Sequence, residues 1–289
     1  MAMPPRRGTR TRLRRVGKMV RDLRSAAGKT SEEAAARLKC SQPKISRMEN
    51  GEVGMKLAEL EALLGYYQAT DQQRHQILRA WEESRQKSLW SRYADALTEK
   101  FRSFVELEAD ARLIQAVDIL LVPGLLQTER YTRALHAAAK HFPTSISANR
   151  AVEARKVRQQ RLTNDNPVQL HTIVDESALR RVVGGREVMR EQLYKLLDLG
   201  KRSNIVIQIL PFGAGAYATM HGAFTILSFT DPEDPTTVYR EHLGGGSWVE
   251  DQAEVHQYTR TFEDLRDAAL GAPESADLIR RIAADLDAE

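Results

Sequence analysis

Gln42, Lys44 and Arg47 fall within the eight residues from Gln42 to Glu49, a segment preceded by Ser41 and followed by Asn50-Gly51. An amide or a guanidinium offers the paired hydrogen bonds that read base edges in a major groove, and an ammonium suits a phosphate. Gln42 is placed to read a base or clamp a phosphate from the start of a helix. Arg47 is placed to reach a guanine edge, and Lys44 to contact the nucleic-acid backbone. The free amides at that helix start add attraction for phosphate. Ser41, Pro43, Ser46 and Asn50 belong to the same candidate set, with Arg12, Lys18, Thr30 and Ser31 upstream. Glu49 better suits a structural part, holding a neighbouring arginine. Lys18, Arg21 and Arg24 equally fit a solvated helical face.

The elements that must position these groups are written around them. Val16, Val20 and Leu23 recur at helical spacing, and Gly28 marks a stop. Thr30 and Glu33 form a capping box for a second helix, with Ala34, Ala35 and Leu38 on its inner face. Ser41 is placed to cap a third helix, and Pro43 fits its first turn, where a missing amide costs little. Ile45 and Met48 then face inward while Gln42, Lys44 and Arg47 stay outward. Asn50-Gly51 ends that helix, and Leu57, Leu60 and Leu64 mark a fourth. Two short helices joined by a tight turn inside a small bundle make a helix-turn-helix, whose second helix has the size to enter a major groove.

The stretch VRDLRSAAGKTSEEAAARLKCSQPKISRMENGE resembles the DNA-binding domain of lambda-repressor-like, or Xre-type, transcriptional regulators. The resemblance is densest over ARLKCSQPKISRMENGE. It departs from the family pattern at Ser31, where a phosphate-contacting Gln is common, at Lys39, where a turn glycine is common, and at Pro43, an outward and often base-reading position. The resemblance implies an all-α head that binds double-stranded DNA.

Charge agrees with that placement. The chain has 289 residues, 43 Lys and Arg against 39 Asp and Glu, and a formal net charge of +4. Residues 1–50 hold 14 basic and 4 acidic side chains, so they carry +10 and the remainder −6. A cationic end on an otherwise acidic chain suits a polyanionic partner. The 42% of hydrophobic residues provides for a sizeable core. Cys40 is the single cysteine, which excludes an intrachain disulfide framework. No apolar run reaches membrane-span length, and the basic opening lacks the apolar stretch of a secretory signal. A cytoplasmic, nucleoid-associated protein is the expectation.

Four regions follow: a flexible basic arm over 1–12, the helix-turn-helix over 13–70, a helical connector over 71–94, and an α+β regulatory or interaction domain over 95–289. In the last, a helical pattern runs between Ala94 and Gln115. Leu125, Leu126, Tyr131 and Leu135 line another helix after Pro123-Gly124. The basic cluster Arg150, Arg155, Lys156, Arg158 and Arg161 reads as a solvated helix in preference to a second DNA contact. Strand patterns begin only with Val168 to Val174, then Asn204 to Leu210, Ala223 to Phe229, Thr237 to His242 and Trp248-Val249. Helices over Gln252 to Ala269 and Ser275 to Asp287 close the chain.

LVPGLLQTERYTRAL, VDESALRRVVGG and IVIQILPFGAGAYATMHGAFTILSFTDPEDPTTVYRE, with the terminal LRDAALG, resemble a domain found behind such heads in actinobacterial Scr1-like, antitoxin-like regulators. That resemblance implies a bacterial transcription factor and a small protein partner encoded nearby. No catalytic set is expected. The histidines are scattered without metal-ligand spacing, and the glycine runs lack a phosphate-loop lysine or a dinucleotide fingerprint. No cofactor and no metal are therefore expected. Phe212, Tyr217, Met220 and His221, with Tyr239 and Trp248, are candidates for a pocket that takes an effector or another protein. Ordinary packing accounts for them as well. One short recognition helix makes few contacts, so a homodimer reading two half-sites is expected.

Overall fold

A computed structural model describes residues 7–85, 89–93, 97–139, 147–217, 222–230, 234–242 and 245–288. They form two compact units that divide between Ser91 and Arg92. The first is all helical: α1 (Arg7–Ala26), α2 (Ser31–Leu38), α3 (Gln42–Glu49), α4 (Leu57–Tyr66) and α5 (Asp71–Arg85). Helical spacing turns Val16, Val20 and Leu23 of α1 into one core with Ala34 and Ala35 of α2, Ile45 and Met48 of α3, and Leu60, Leu63 and Leu64 of α4.

The capping box forms as read: Thr30 Oγ1 accepts from the Glu33 amide at 3.2 Å, and Glu33 Oε2 accepts from the Thr30 amide at 2.8 Å. Lys39 takes the left-handed conformation, φ 53°, and lets the Cys40 amide reach the Ala35 carbonyl. Ser41 holds the N-cap position of α3, yet its hydroxyl makes no capping bond.

Two boundaries differ from the sequence expectation. Helix α1 reaches back to Arg7, so residues 7–12, placed in a flexible arm, are helical; residues 1–6 lie outside the described residues. Arginine is a good helix former, and no proline interrupts the segment. The stretch read as a connector packs into the head, where Ile77, Ala80 and Trp81 of α5 join the same core. Trp81 Nε1 donates to the Met55 carbonyl at 2.8 Å and fixes α5 to the loop after α3.

The second unit is α+β, so the chain is an all-α head followed by a larger mixed domain. In order it contains α6 (Glu99–Asp110), β1 (Leu113–Asp118), α7 (Glu129–Ala138), α8 (Ala148–Gln159), β2 (Gln169–Asp175), α9 (Glu176–Arg180) and α10 (Arg186–Leu199). These are followed by β3 (Ile205–Leu210), β4 (Phe224–Ser228), β5 (Thr237–His242), β6 (Gly245–Val249), α11 (Gln252–Ala268) and α12 (Ala272–Ala288). The sheet order is β3-β2-β1-β4-β5-β6, with β1, β2 and β3 parallel and the other pairings antiparallel.

Strand β1 corrects the sequence reading, which ran a helix through Gln115 and found no strand before residue 168. Only Ala111 and Arg112 separate α6 from β1, with no glycine or proline to mark the change of period. One sheet face carries Val117, Ile173, Phe224, Ile226 and Val238 into a core with Val255, Phe262 and Leu265 of α11. On the other face Phe104 of α6 stacks on Tyr239, ring centroids 4.5 Å apart.

Candidate nucleic-acid interface

The seat of α3 is built from backbone. A side chain at Gly17 of α1 would overlap the carbonyl oxygens of Met48 and Glu49, so the two helices touch where α3 ends. Gly51, at φ +66°, lies as closely against the backbone of Arg14. An ion pair reinforces the contact: Arg24 Nε and Nη2 donate to Glu49 Oε1 and Oε2 at 2.7 and 2.9 Å, and Nη1 donates to the Lys29 carbonyl at 2.8 Å. The hydrogen bonds it donates to Glu49 hold the Arg24 guanidinium above its ordinary pKa, against the opposing pull of burial. Glu49 thus faces inward and holds an arginine.

With Ile45, Met48 and Glu49 buried, Pro43, Arg47 and Asn50 are exposed and Ser46 is half-buried between them. Their spacing places them along one side of α3. Gln42, at the start of the helix, donates from Nε2 to Ser31 Oγ at 3.2 Å, tying the beginnings of α2 and α3 together. Ser41 and Thr30 are both exposed at the same two helix starts, and the Thr30 hydroxyl is engaged in its cap.

Lys44 is turned sideways: its Nζ meets Glu59 Oε1 of α4 at 2.7 Å, a hydrogen bond that raises the ammonium pKa. Arg47 Nε stands 3.6 Å from Glu52 Oε2. Arg12 and Lys18 are half-buried on α1, whose first turn carries no acidic residue. A cationic start opposes the helix dipole, an arrangement that an external anion relieves. Sequence reasoning missed Gly17 and Glu59. A glycine inside a helical pattern was a signal for the first; Glu59 lies fifteen residues from its lysine, and nothing local marks it.

Among the described residues, the pocket candidates of the second unit are not gathered in one place. Tyr239 and Trp248 pack edge to face, 4.9 Å between centroids, and Trp248 Nε1 donates to Ser103 Oγ of α6 at 3.3 Å. Tyr217 packs against the core on the opposite sheet face, and its hydroxyl donates to Asp175 Oδ2 at 2.7 Å. Phe212 is exposed just after β3. Met220 and His221 lie outside the described residues.

Helix α8 also departs from expectation. Arg158 is buried and donates from Nε and Nη2 to Glu108 Oε1 and Oε2 at 2.8 and 2.7 Å, with its guanidinium 5.1 Å from the Phe101 ring centre. A planar fork matched to a carboxylate and laid on an aromatic ring is at home inside a protein, so this part of the basic cluster is no solvated face.

Among the described residues, no group of three His, Cys, Asp or Glu side chains is arranged to hold a metal ion. No described helix is long and apolar enough to cross a membrane. Residues 15–77 match a helix-turn-helix domain family, and residues 101–281 match the domain of unknown function DUF5753. No curated protein and no solved structure matches the chain. The helix-turn-helix domain gives the chain a DNA-binding regulatory role in general terms. Because the second match spans well over half of its length, the chain belongs to the DUF5753 family and carries that domain behind a helix-turn-helix head.

Proposed function

We propose that this protein is a sequence-specific transcriptional regulator that binds double-stranded DNA as a homodimer, with α3 in the major groove. The observation that carries the reading is the exposed side of α3, where Pro43, Ser46, Arg47 and Asn50 share one surface held on backbone contacts to α1. Arg47 is the base-reading group, and its loose pairing with Glu52 at 3.6 Å leaves the guanidinium fork available to a guanine edge. Gln42, held by Ser31, approaches a phosphate or base at the helix start, with Ser41 and Thr30 beside it. Lys44 reaches a phosphate only by exchanging Glu59 for it. Arg12 and Lys18 contact phosphates from α1. The two-fold arrangement rests on the small reach of an eight-residue helix.

Genome-wide mapping of DNA bound by the intact protein supplies the operator and tests its symmetry; a bound sequence without two related halves would remove the dimer. On that operator, Arg47→Ala is expected to cost about 1–3 kcal/mol of preference over unrelated DNA. Equal losses on both DNAs in a fluorescence anisotropy titration would remove its base-reading role.

A further inference from the structure

The register of the sheet leaves one stretch of its α6-facing surface open. Ala116, Thr225 and Tyr239 form a row across β1, β4 and β5, which Thr172 extends onto β2. The next row on the same face holds Asp118 on β1, Ala223 just before β4, and Glu241 on β5. Two strand spacings separate Asp118 from Glu241, about 9–10 Å. Val174 and Ile209, farther along that row on β2 and β3, are buried. Asp118, Ala223 and Thr225 are only half-buried although they stand at the middle of a six-stranded sheet. The floor of the opening is made of small side chains, Ala116 and Ala223.

Charge arrives from above. The position a side chain would take at Gly124 is 3.3 Å from Arg158 Nη1 and 3.8 Å from Arg155 Cζ, so its absence lets both guanidiniums lie against the turn at Gly124–Leu126. Arg158 is spent on Glu108. Arg155 donates one long hydrogen bond, from Nη1 to Thr132 Oγ1 at 3.4 Å, and makes no other among the described residues. Asp118 has neither a hydrogen bond nor an ion pair within 4.0 Å among them. Thr172 Oγ1, buried on this face, has no hydrogen-bond partner among the described residues. Folded proteins rarely leave such groups unsatisfied, and a bound molecule is one way they are completed.

We propose that this opening is a binding site for a small zwitterion of amino-acid size, with Asp118 receiving its ammonium and Arg155 its carboxylate. With Arg158 neutralised by Glu108 and Glu241 exposed to solvent, the half-buried charges left without a close partner among the described residues are one carboxylate and one guanidinium, so a ligand bearing both signs leaves neither stranded. A simple anion or a simple cation satisfies only half of the site. The electrostatics agree: burial, with Glu241 adding and Arg158 opposing, pushes Asp118 up to about 7, and burial beside Arg158 pushes Arg155 down to about 10. Tyr131 of α7 is the remaining titratable neighbour of both. Among the described residues neither charged form has a hydrogen-bonded counter-charge, which the ligand supplies.

The test uses full-length protein without DNA, so its outcome is separate from that of the operator measurements. The common α-amino acids are added individually at roughly 10 mM, with acetate and methylammonium as single-charge controls, and thermal unfolding is followed. At least one amino acid is expected to raise the midpoint by about 3 °C or more, and neither control to do so. Calorimetric titration of the responding amino acid is expected to show about tenfold or greater weakening in both Asp118→Asn and Arg155→Gln. Should either variant fail to fold, Ala223→Leu fills the floor without touching a charge and must abolish the shift. No response from any amino acid, an equal response to acetate alone, or binding that survives all of these substitutions would overturn the proposal.

Discussion

Both units set an arginine on a buried glutamate with nearly the same geometry, and the two pairs have different consequences. Arg24 holds Glu49 through bonds of 2.7 and 2.9 Å, and Arg158 holds Glu108 through bonds of 2.8 and 2.7 Å. The guanidinium of the first also reaches the Lys29 carbonyl. Among the described residues the neighbour left wanting there is the Tyr67 hydroxyl, a neutral group. Beside the second pair stand Asp118 and Arg155, ionisable groups with little or nothing to satisfy them. A fork-to-carboxylate pair in satisfied surroundings acts as a strut, here between α1 and α3. The same pair next to stranded charges becomes one wall of a polar opening.

The contrast can be pressed hardest by removing one charge from each pair. Glu108→Gln is expected to cost about 3–5 kcal/mol in the second unit, because Arg158 is left charged and enclosed without its hydrogen-bonded carboxylate. Glu49→Gln is expected to cost about 1–3 kcal/mol in the head, since the Arg24 side chain is 15% exposed and keeps its carbonyl partner. Hydrogen exchange of amides in α8 and in α3 measures each loss in its own unit, and equal losses would erase the distinction.

Asp118→Asn carries a smaller effect of opposite sign. The carboxyl titrates at about 7 in the folded chain against an ordinary value of 3.8, so the folded state binds the extra proton between those limits. Stability from this group is therefore complete below pH 3.8 and declines as pH rises through 7. The asparagine variant escapes that decline. Without ligand, β1 amides are expected to open at a cost greater by on the order of 1–2 kcal/mol at pH 8, and no greater at pH 4. An unchanged difference across that range would show Asp118 to be well solvated. The smallest effect belongs to the head. Lys39→Gly removes the strain of a side chain at φ 53° and is expected to add about 0.5–1 kcal/mol, read from exchange of α2 and α3 amides.

The head was legible because its signals are local. Thr30 and Glu33, Pro43, and Asn50-Gly51 punctuate helices of eight residues, and the inward residues recur at the helical period. The second unit was legible where glycine and proline bound its strands, and illegible at β1, which follows α6 after two residues. The stranded face was invisible for a different reason. Asp118, Ala223 and Glu241 come together only through strand pairing. Arg158 meets Glu108 across fifty residues of chain. Arginines at helical spacing look like a wet surface until the partner that encloses them is known.

The two cations of α3 are each met by a carboxylate from the residues that follow it, Lys44 by Glu59 and Arg47 by Glu52. Helix α1, by contrast, carries eight basic residues and one acidic. The far field of the head therefore issues from α1, while α3 is close to electroneutral until it docks. In the proposed regulator, α1 draws the protein toward any duplex and accounts for most of the counterions released on contact. Helix α3 adds little to that indiscriminate pull, so its contribution is felt only where its side chains find matching bases.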